Sequence, residues 1–514
     1  MSKASSTPLI LLISSLTKAE KRHFKLYAKR NFGERDLKFL LLFDLIDTYG
    51  ELTSARIENK LPGTKKSAIS NLKAHLYEQI LISLRLLHRN DPSIQIEELI
   101  SFANVLYGKG LYLQSLEQLK KARIIANHFQ NDLALYTIIE MERKIELFYV
   151  TESGIDRAKE IVETNIEIRE VLASRDDWSN IALTLYDYYL KFGHVKNESQ
   201  FQKVQSRFNE AIQEIDHNVI SLQGKVYCEM AHTWFHFITQ NFALCYKHAN
   251  NWVDEMNQNY YLISRDPIMY LKGIHNILSA LFYSNKPRQF EVHFSALESF
   301  IDEHQDSFDP NTRITSYIYM YIGRLNLIFL QGHFRQNESI VSEINAWLKE
   351  HEEYLDQNRI QVFQYKIACL YFGADNFKEC IRYLNMIING ASRDQHYRQD
   401  VQCFARILNL VAHYELENDE LVEYQLKNTY RFLIKYGDLQ QVQVKIIEFI
   451  RKSVYMDRKQ MLPHFQELKS QLVSIFDDKY ERRPLLYLDL ISWLTSKIEQ
   501  KKVEDIIQNR QRTR

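Results

Sequence analysis

The sequence predicts an all-α chain: a basic helical bundle at the N-terminus, then an α-solenoid of about nine long helical hairpins, closed by a C-terminal capping helix. Three observations predict it. The 514 residues contain only 14 glycines and 8 prolines, roughly a third of average usage, so few turns need special backbone angles. The prolines stand at 8, 62, 92, 267, 287, 310, 463 and 484, leaving residues 93 to 266 and 311 to 462 without one and free to run as helices. A short polar punctuation followed by a large apolar residue recurs at Lys109-Gly110-Leu111-Tyr112, Glu152-Ser153-Gly154-Ile155, Glu198-Ser199-Gln200-Phe201, Gln240-Asn241-Phe242, Arg288-Gln289-Phe290, Gln331-Gly332-His333-Phe334, Asp375-Asn376-Phe377, Asp419-Glu420-Leu421 and His464-Phe465. Its successive steps are 43, 46, 41, 48, 44, 43, 44 and 44 residues, the regular beat of stacked repeats.

Charge separates the head from the array. Residues 1 to 90 hold 16 Lys and Arg against 8 Asp and Glu, a balance of +8; because the whole chain is neutral, the rest carries −8. The expected domains are therefore 1–90, a basic four-helix head; 91–481, the array; and 482–514, a capping helix with a polar tail fading into solvent. In the head, Thr17 with Glu20 forms a capping box opening a helix to Arg30. A second helix covers Asp36 to Thr48 with Phe39, Leu40, Leu42, Phe43, Leu45 and Ile46 on it, a third Ser54 to Leu61, and a fourth Lys65 to Leu87.

The third and fourth helices with Leu61-Pro62-Gly63-Thr64 between them resemble a helix-turn-helix, which implies DNA contact through Lys65, Lys66, Ser70, Asn71 and Lys73. Against this, the fourth helix runs well past the length of a recognition helix and no wing follows it.

Each unit of the array divides into two amphipathic stretches about its punctuation, such as Ile367, Ala368, Leu370 and Tyr371 before the seventh and Cys380, Ile381, Leu384, Ile387 and Ile388 after it. Such a hairpin cannot bury its apolar face alone and needs a neighbour. Tyr112, Ser115, Leu119 and Ala122, and likewise Phe377, Cys380, Leu384 and Ile387, resemble the second helix of tetratricopeptide repeats. Ile155, Ala158 and Val162 match in part; Phe242, Cys245, Ala249 and Trp252 keep the apolar register. The small position is lost at His293, Asn337 and Tyr424, and the period is about ten residues longer than the family's 34. The N-terminal run Ser15 to Leu26 and the run Leu76 to Arg85 are similar to a large family of bacterial tetratricopeptide-like proteins, a resemblance that implies no catalytic residue.

The tetratricopeptide resemblance implies a peptide-binding groove lined by the first helices, with Tyr189, His232, His275, Tyr319, Arg324, Asn326, Tyr365, Arg406 and Asn409 as candidate contacts. The expected function is that of a non-enzymatic scaffold for a protein or peptide partner; the alternative is a transcriptional regulator with a DNA-binding head and a peptide-sensing array. No cofactor is expected. Gly63-Thr64-Lys65-Lys66-Ser67 lacks the first glycine and the Gly-Lys pair of a phosphate loop, and no GxGxxG or GxSxG can be written. His232 and His236 stand four apart, with Glu229 one turn earlier, but the intervening glutamate of metalloproteases is missing and Trp234 and Phe235 suggest packing, so no metal is expected. Five cysteines with no CxxC pair fit a reducing cytoplasm, and no apolar run reaches the length of a membrane span.

Overall fold

The computed structural model describes residues 8–32, 37–50, 54–61, 66–148, 156–213, 215, 221–390, 399–436, 440–476, 478, 480–481 and 489–512. Among them the chain is all helical, with no strand. It divides into two compact units, Met1–Leu172 and Ala173–Arg514.

In the first unit, α1 (Pro8–Ser15), α2 (Lys18–Phe32), α3 (Leu37–Tyr49), α4 (Ser54–Lys60) and α5 (Lys66–Leu87) enclose a core that includes Phe24, Phe39, Leu42, Phe43, Ile57, Leu76 and Ile80. The capping box forms: the Thr17 N–H donates to Glu20 Oε2 at 2.7 Å and the Glu20 N–H donates to Thr17 Oγ1 at 3.2 Å. Four helices are expected here and five are found. The extra one, α1, is a two-turn segment whose Leu9 and Ile13 are buried in the same core; so short a helix is held by packing rather than by propensity. The connection at 62–65, on which the helix-turn-helix reading depends, lies outside the described residues.

A separate core follows on α6 (Pro92–Gly108), α7 (Tyr112–His128) and α8 (Asp132–Phe148). Asp91 caps α6, its Oδ1 accepting from the N–H groups of Ser93 at 2.8 Å and Ile94 at 3.3 Å, with Pro92 in the first turn where no donor is needed. Ser115, Leu119 and Ala122 are wholly buried. The Ser115 hydroxyl donates to the Ala103 carbonyl at 2.8 Å, which satisfies it without displacing the close α6–α7 contact.

The punctuation at 152–155 also lies outside the described residues. Beyond it the expected pair of stretches is one continuous helix, α9 (Arg157–Phe192), 36 residues long. The reason is plain in the sequence: no Gly or Pro occurs from 157 to 192, so nothing breaks the ladder.

The second unit continues with α10 (Glu198–Gln213), α11 (Leu222–Ile238), α12 (Phe242–Gln258), α13 (Tyr260–Arg265), α14 (Pro267–Tyr283), α15 (Pro287–His304), α16 (Pro310–Gln331) and α17 (Ser339–Glu350). After these come α18 (Gln357–Gly373), α19 (Phe377–Gly390), α20 (Gln399–Glu415), α21 (Asp419–Lys435), α22 (Gln441–Ser453), α23 (Leu462–Phe476), α24 (Leu490–Glu499) and α25 (Val503–Arg512). The helices α14, α16, α18, α20 and α22 pack in succession, each also meeting a partner across a short connection, which is the layering a repeat array needs. Gly373 lets one layer approach the next: a Cβ there would lie 2.6 Å from Phe334 Cδ1.

The hairpins end in a common way. At Gln240, Asn285, Gly332, Asp375 and Glu417 φ is between 52° and 69°, and the following N–H reaches back five residues, as from Asn241 to the His236 carbonyl at 2.9 Å and from Asn376 to that of Tyr371 at 2.9 Å. These are Schellman caps, which occupy carbonyls left open at a helix end.

The single helix expected over 482–514 is corrected. Residues 482–488 are not described, and the remainder is two helices broken at Gln500, φ 53°. The tail does not fade into solvent. Val503, Ile506 and Ile507 are buried and α25 packs on α16, because these three residues form an i, i+3, i+4 stripe that needs cover.

Candidate functional site

The second unit forms a cavity of about 1570 Å³ that is partly open to solvent. Helices α9, α11, α14, α16 and α18 supply one part of its wall and residues 489–511 another. Because α14, α16 and α18 are successive layers, side chains one beat apart come to the same face. His275 and Tyr319, 44 residues apart, stack at 4.3 Å between ring centroids with planes at 14°.

Cations are held against aromatic faces here. Lys272 Nζ lies 4.4 Å from the Tyr186 ring centroid and 5.6 Å from that of Trp234. Lys366 Nζ lies 5.3 Å from Phe282 and 5.6 Å from Phe329, and it donates to Asn326 Oδ1 at 2.6 Å. Such pairing favours a charge in a partly dry place. Burial lowers the Lys272 pKa from the ordinary lysine value, with Asp266 opposing and Arg359 adding to the fall. Burial, then Lys366 and Lys272, push His275 down to about 3, so its ring is neutral at physiological pH. Tyr319 is pushed up to about 12 by burial, and the Cys369 thiol likewise to about 12, leaving both protonated at physiological pH.

Of the nine groove candidates, Tyr189, His275, Tyr319, Asn326 and Tyr365 line this cavity. Arg324 does not; it pairs with Glu298 at 3.2 Å and Glu343 at 3.6 Å, towards α15 and α17. Two residues apart on a helix, Arg324 and Asn326 point about 200° apart and cannot share a wall. Arg406 covers the Phe432 ring at 3.7 Å and donates to the Gln402 carbonyl at 3.1 Å. Asn409 is fully buried beside Asn385, at 3.4 Å. The cations Lys272, Lys366 and Arg510 were not among the candidates. The 47-residue interval between Lys272 and Tyr319, and again between Tyr319 and Lys366, was the available signal for the first two; nothing local pointed to Arg510.

His232 belongs to another group. Its ring centroid lies 4.7 Å from that of His248 on α12, which lies 5.2 Å from that of His236, and one ring nitrogen of each is within 4.8 Å of the others. His248 Nδ1 sits 2.7 Å from Glu229 Oε2, and Asn251 Nδ2 donates to Glu229 Oε1 at 3.3 Å. Burial, with His248 and His232 adding, pushes His236 down to about 4. Sequence spacing paired His232 with His236 but could not supply His248, which arrives from the next helix.

In the head, Ser70 and Asn71 are exposed on α5 and Lys73 is half-exposed; Lys65 and the side chain of Lys66 lie outside what is described.

The chain matches no family model, no curated protein and no solved structure. Among the described residues no helix is long and apolar enough to cross a membrane.

Proposed function

We propose that this protein is a non-enzymatic, tetratricopeptide-like scaffold that takes an acidic peptide segment of a protein partner into the cavity of its second unit. The observation that carries the reading is the lining itself. Basic Lys272, Arg359, Lys366, Lys469 and Arg510 stand against acidic Asp356 and Asp489, among Tyr186, Tyr189, Trp234, Phe282, Tyr319 and Phe329. An excess of cations over aromatic walls favours carboxylates with apolar or aromatic neighbours. The volume exceeds the ~300–1,000 Å³ of drug-sized ligand sites, so several residues of a chain fit.

The test is fluorescence anisotropy of full-length protein with labelled acidic, neutral and basic peptide pools. Acidic peptides should bind selectively, and Lys272→Glu with Lys366→Glu should remove that binding. Equal binding of all three pools, or an unaffected double variant, overturns the reading.

The second reading, DNA contact by the head, has in its favour the +8 balance of residues 1–90 and the exposure of Ser70 and Asn71. It requires duplex binding that weakens steeply with salt and falls on Lys73→Glu.

A further inference from the structure

We propose that His232, His236 and His248 form a binding site for a divalent transition-metal ion, zinc foremost, with a fourth coordination position left to water or an exogenous donor. The site is independent of the peptide reading.

Three arrangements carry it. His232 and His236 are i, i+4 on α11, which aims both rings to one side, and α12 returns across the Gln240 turn to place His248 opposite them. The three nitrogens lie within 4.8 Å of one another and all three residues are half-buried. In a tetrahedral site with metal–nitrogen bonds of ~2.0–2.1 Å the ligand nitrogens stand about 3.4 Å apart, so each need shift by less than about 1 Å. Because the rings stack with planes 15° to 21° apart, closure on an ion also requires rotation about the side-chain bonds to turn the lone pairs to one point.

The three rings stack nearly parallel, with planes 15° to 21° apart, and the polar groups around them resemble those around a metal ligand. The Glu229 carboxylate accepts from His248 Nδ1–H at 2.7 Å, which fixes the tautomer and leaves the Nε2 lone pair for a cation. Asn251 in turn holds Glu229 from the second helix. A carboxylate behind a ligating histidine, itself hydrogen-bonded, is the usual outer shell of a zinc site. Imidazole donors suit zinc, copper, iron and nickel more than calcium or magnesium. Three protein ligands with one open position distinguish this set from the closed four-ligand structural kind. His236 also borders the cavity, so the open position has a route to it.

The experiment uses chelator-stripped full-length protein, titrated with Zn²⁺ against a chromophoric chelator and separately with Co²⁺ followed by visible absorption. One tightly bound equivalent and the intense d–d bands of low-coordinate cobalt are expected. His248→Ala should weaken zinc by about 100-fold or more, and Glu229→Gln by about 10–100-fold. Circular dichroism reports whether each variant folds, and His232→Gln repeats the test should His248→Ala fail to fold. Absence of a stoichiometric tight site overturns the proposal. So does zinc affinity or a cobalt spectrum unchanged in the folded histidine variants, which would assign the binding to other histidines.

Discussion

Gln511 donates its side-chain amide to the main-chain carbonyl of Leu330 at 2.9 Å, across 181 residues of sequence. Gln508 does the same to the carbonyl of Gly332 at 3.0 Å. The last helix thus occupies acceptors at the C-terminal end of α16, and it does so beside the cavity that both helices line.

Disturbing that contact should cost the second unit stability. Ile507→Ala removes a buried side chain and is expected to cost about 2–4 kcal/mol. At Gly332, φ is 69° and a Cβ would lie 2.9 Å from Ile507 Cβ and 3.1 Å from the Glu504 carbonyl. Gly332→Ala therefore meets backbone strain and a clash together, about 1–3 kcal/mol. Urea denaturation of each variant checks both values, and either variant as stable as the parent refutes the docking.

Glu417→Gly should act in the opposite direction. Glu417 is exposed and holds φ 56° at a Schellman turn, where a side chain costs about 1–2 kcal/mol and glycine costs only its extra unfolded freedom. A net gain of about 0.5–1 kcal/mol is expected from the shift in denaturation midpoint.

His275 makes stability depend on pH. Its folded pKa is about 3, below the ~6.5 of an unfolded histidine. Between these values the unfolded chain takes up a proton that the folded chain does not, so the stability is complete above pH 6.5 and is lost as pH falls towards 3. The slope from this one group is at most about 1.4 kcal/mol per pH unit. His275→Gln should flatten the acid side of a stability–pH curve; an unchanged curve contradicts the assignment.

In the first unit, Glu142 is 2% exposed, bound by Arg123 and by Arg157 at 3.1 Å. Burial raises its pKa while the two arginines oppose that rise. Arg123→Met leaves the buried carboxylate with Arg157 as its remaining cation and should cost about 1–3 kcal/mol, whereas the neutral swap Glu142→Gln should cost less. Thermal denaturation of the two variants gives the order.

Several features were legible in the sequence because they are local. Thr17 and Glu20 cap α2 through their own spacing, and the scarcity of Gly and Pro made helices the economical reading. Tyr112, Phe242 and Phe377 begin their helices where the polar punctuation placed them, since a turn and the apolar period that follows it are written in consecutive residues. The same locality explains two misses. No breaker separates 157 from 192, so the expected pair of helices is one, and Arg324 turns to Glu298 and Glu343 rather than to the cavity, a register that periodicity alone does not set.

What the sequence by itself determined is the helical class, the recurring beat and the charge contrast between residues 1–90 and the rest of the chain; each follows from composition or from order along the chain. Only the tertiary structure decided that Lys272, Lys366 and Arg510 line one cavity, that Val503, Ile506 and Ile507 are buried on a helix that packs on α16, and that His248 joins His232 and His236. Those pairings depend on how far each layer turns relative to the last, which the apolar packing between helices sets and no single residue's neighbours in sequence reveal.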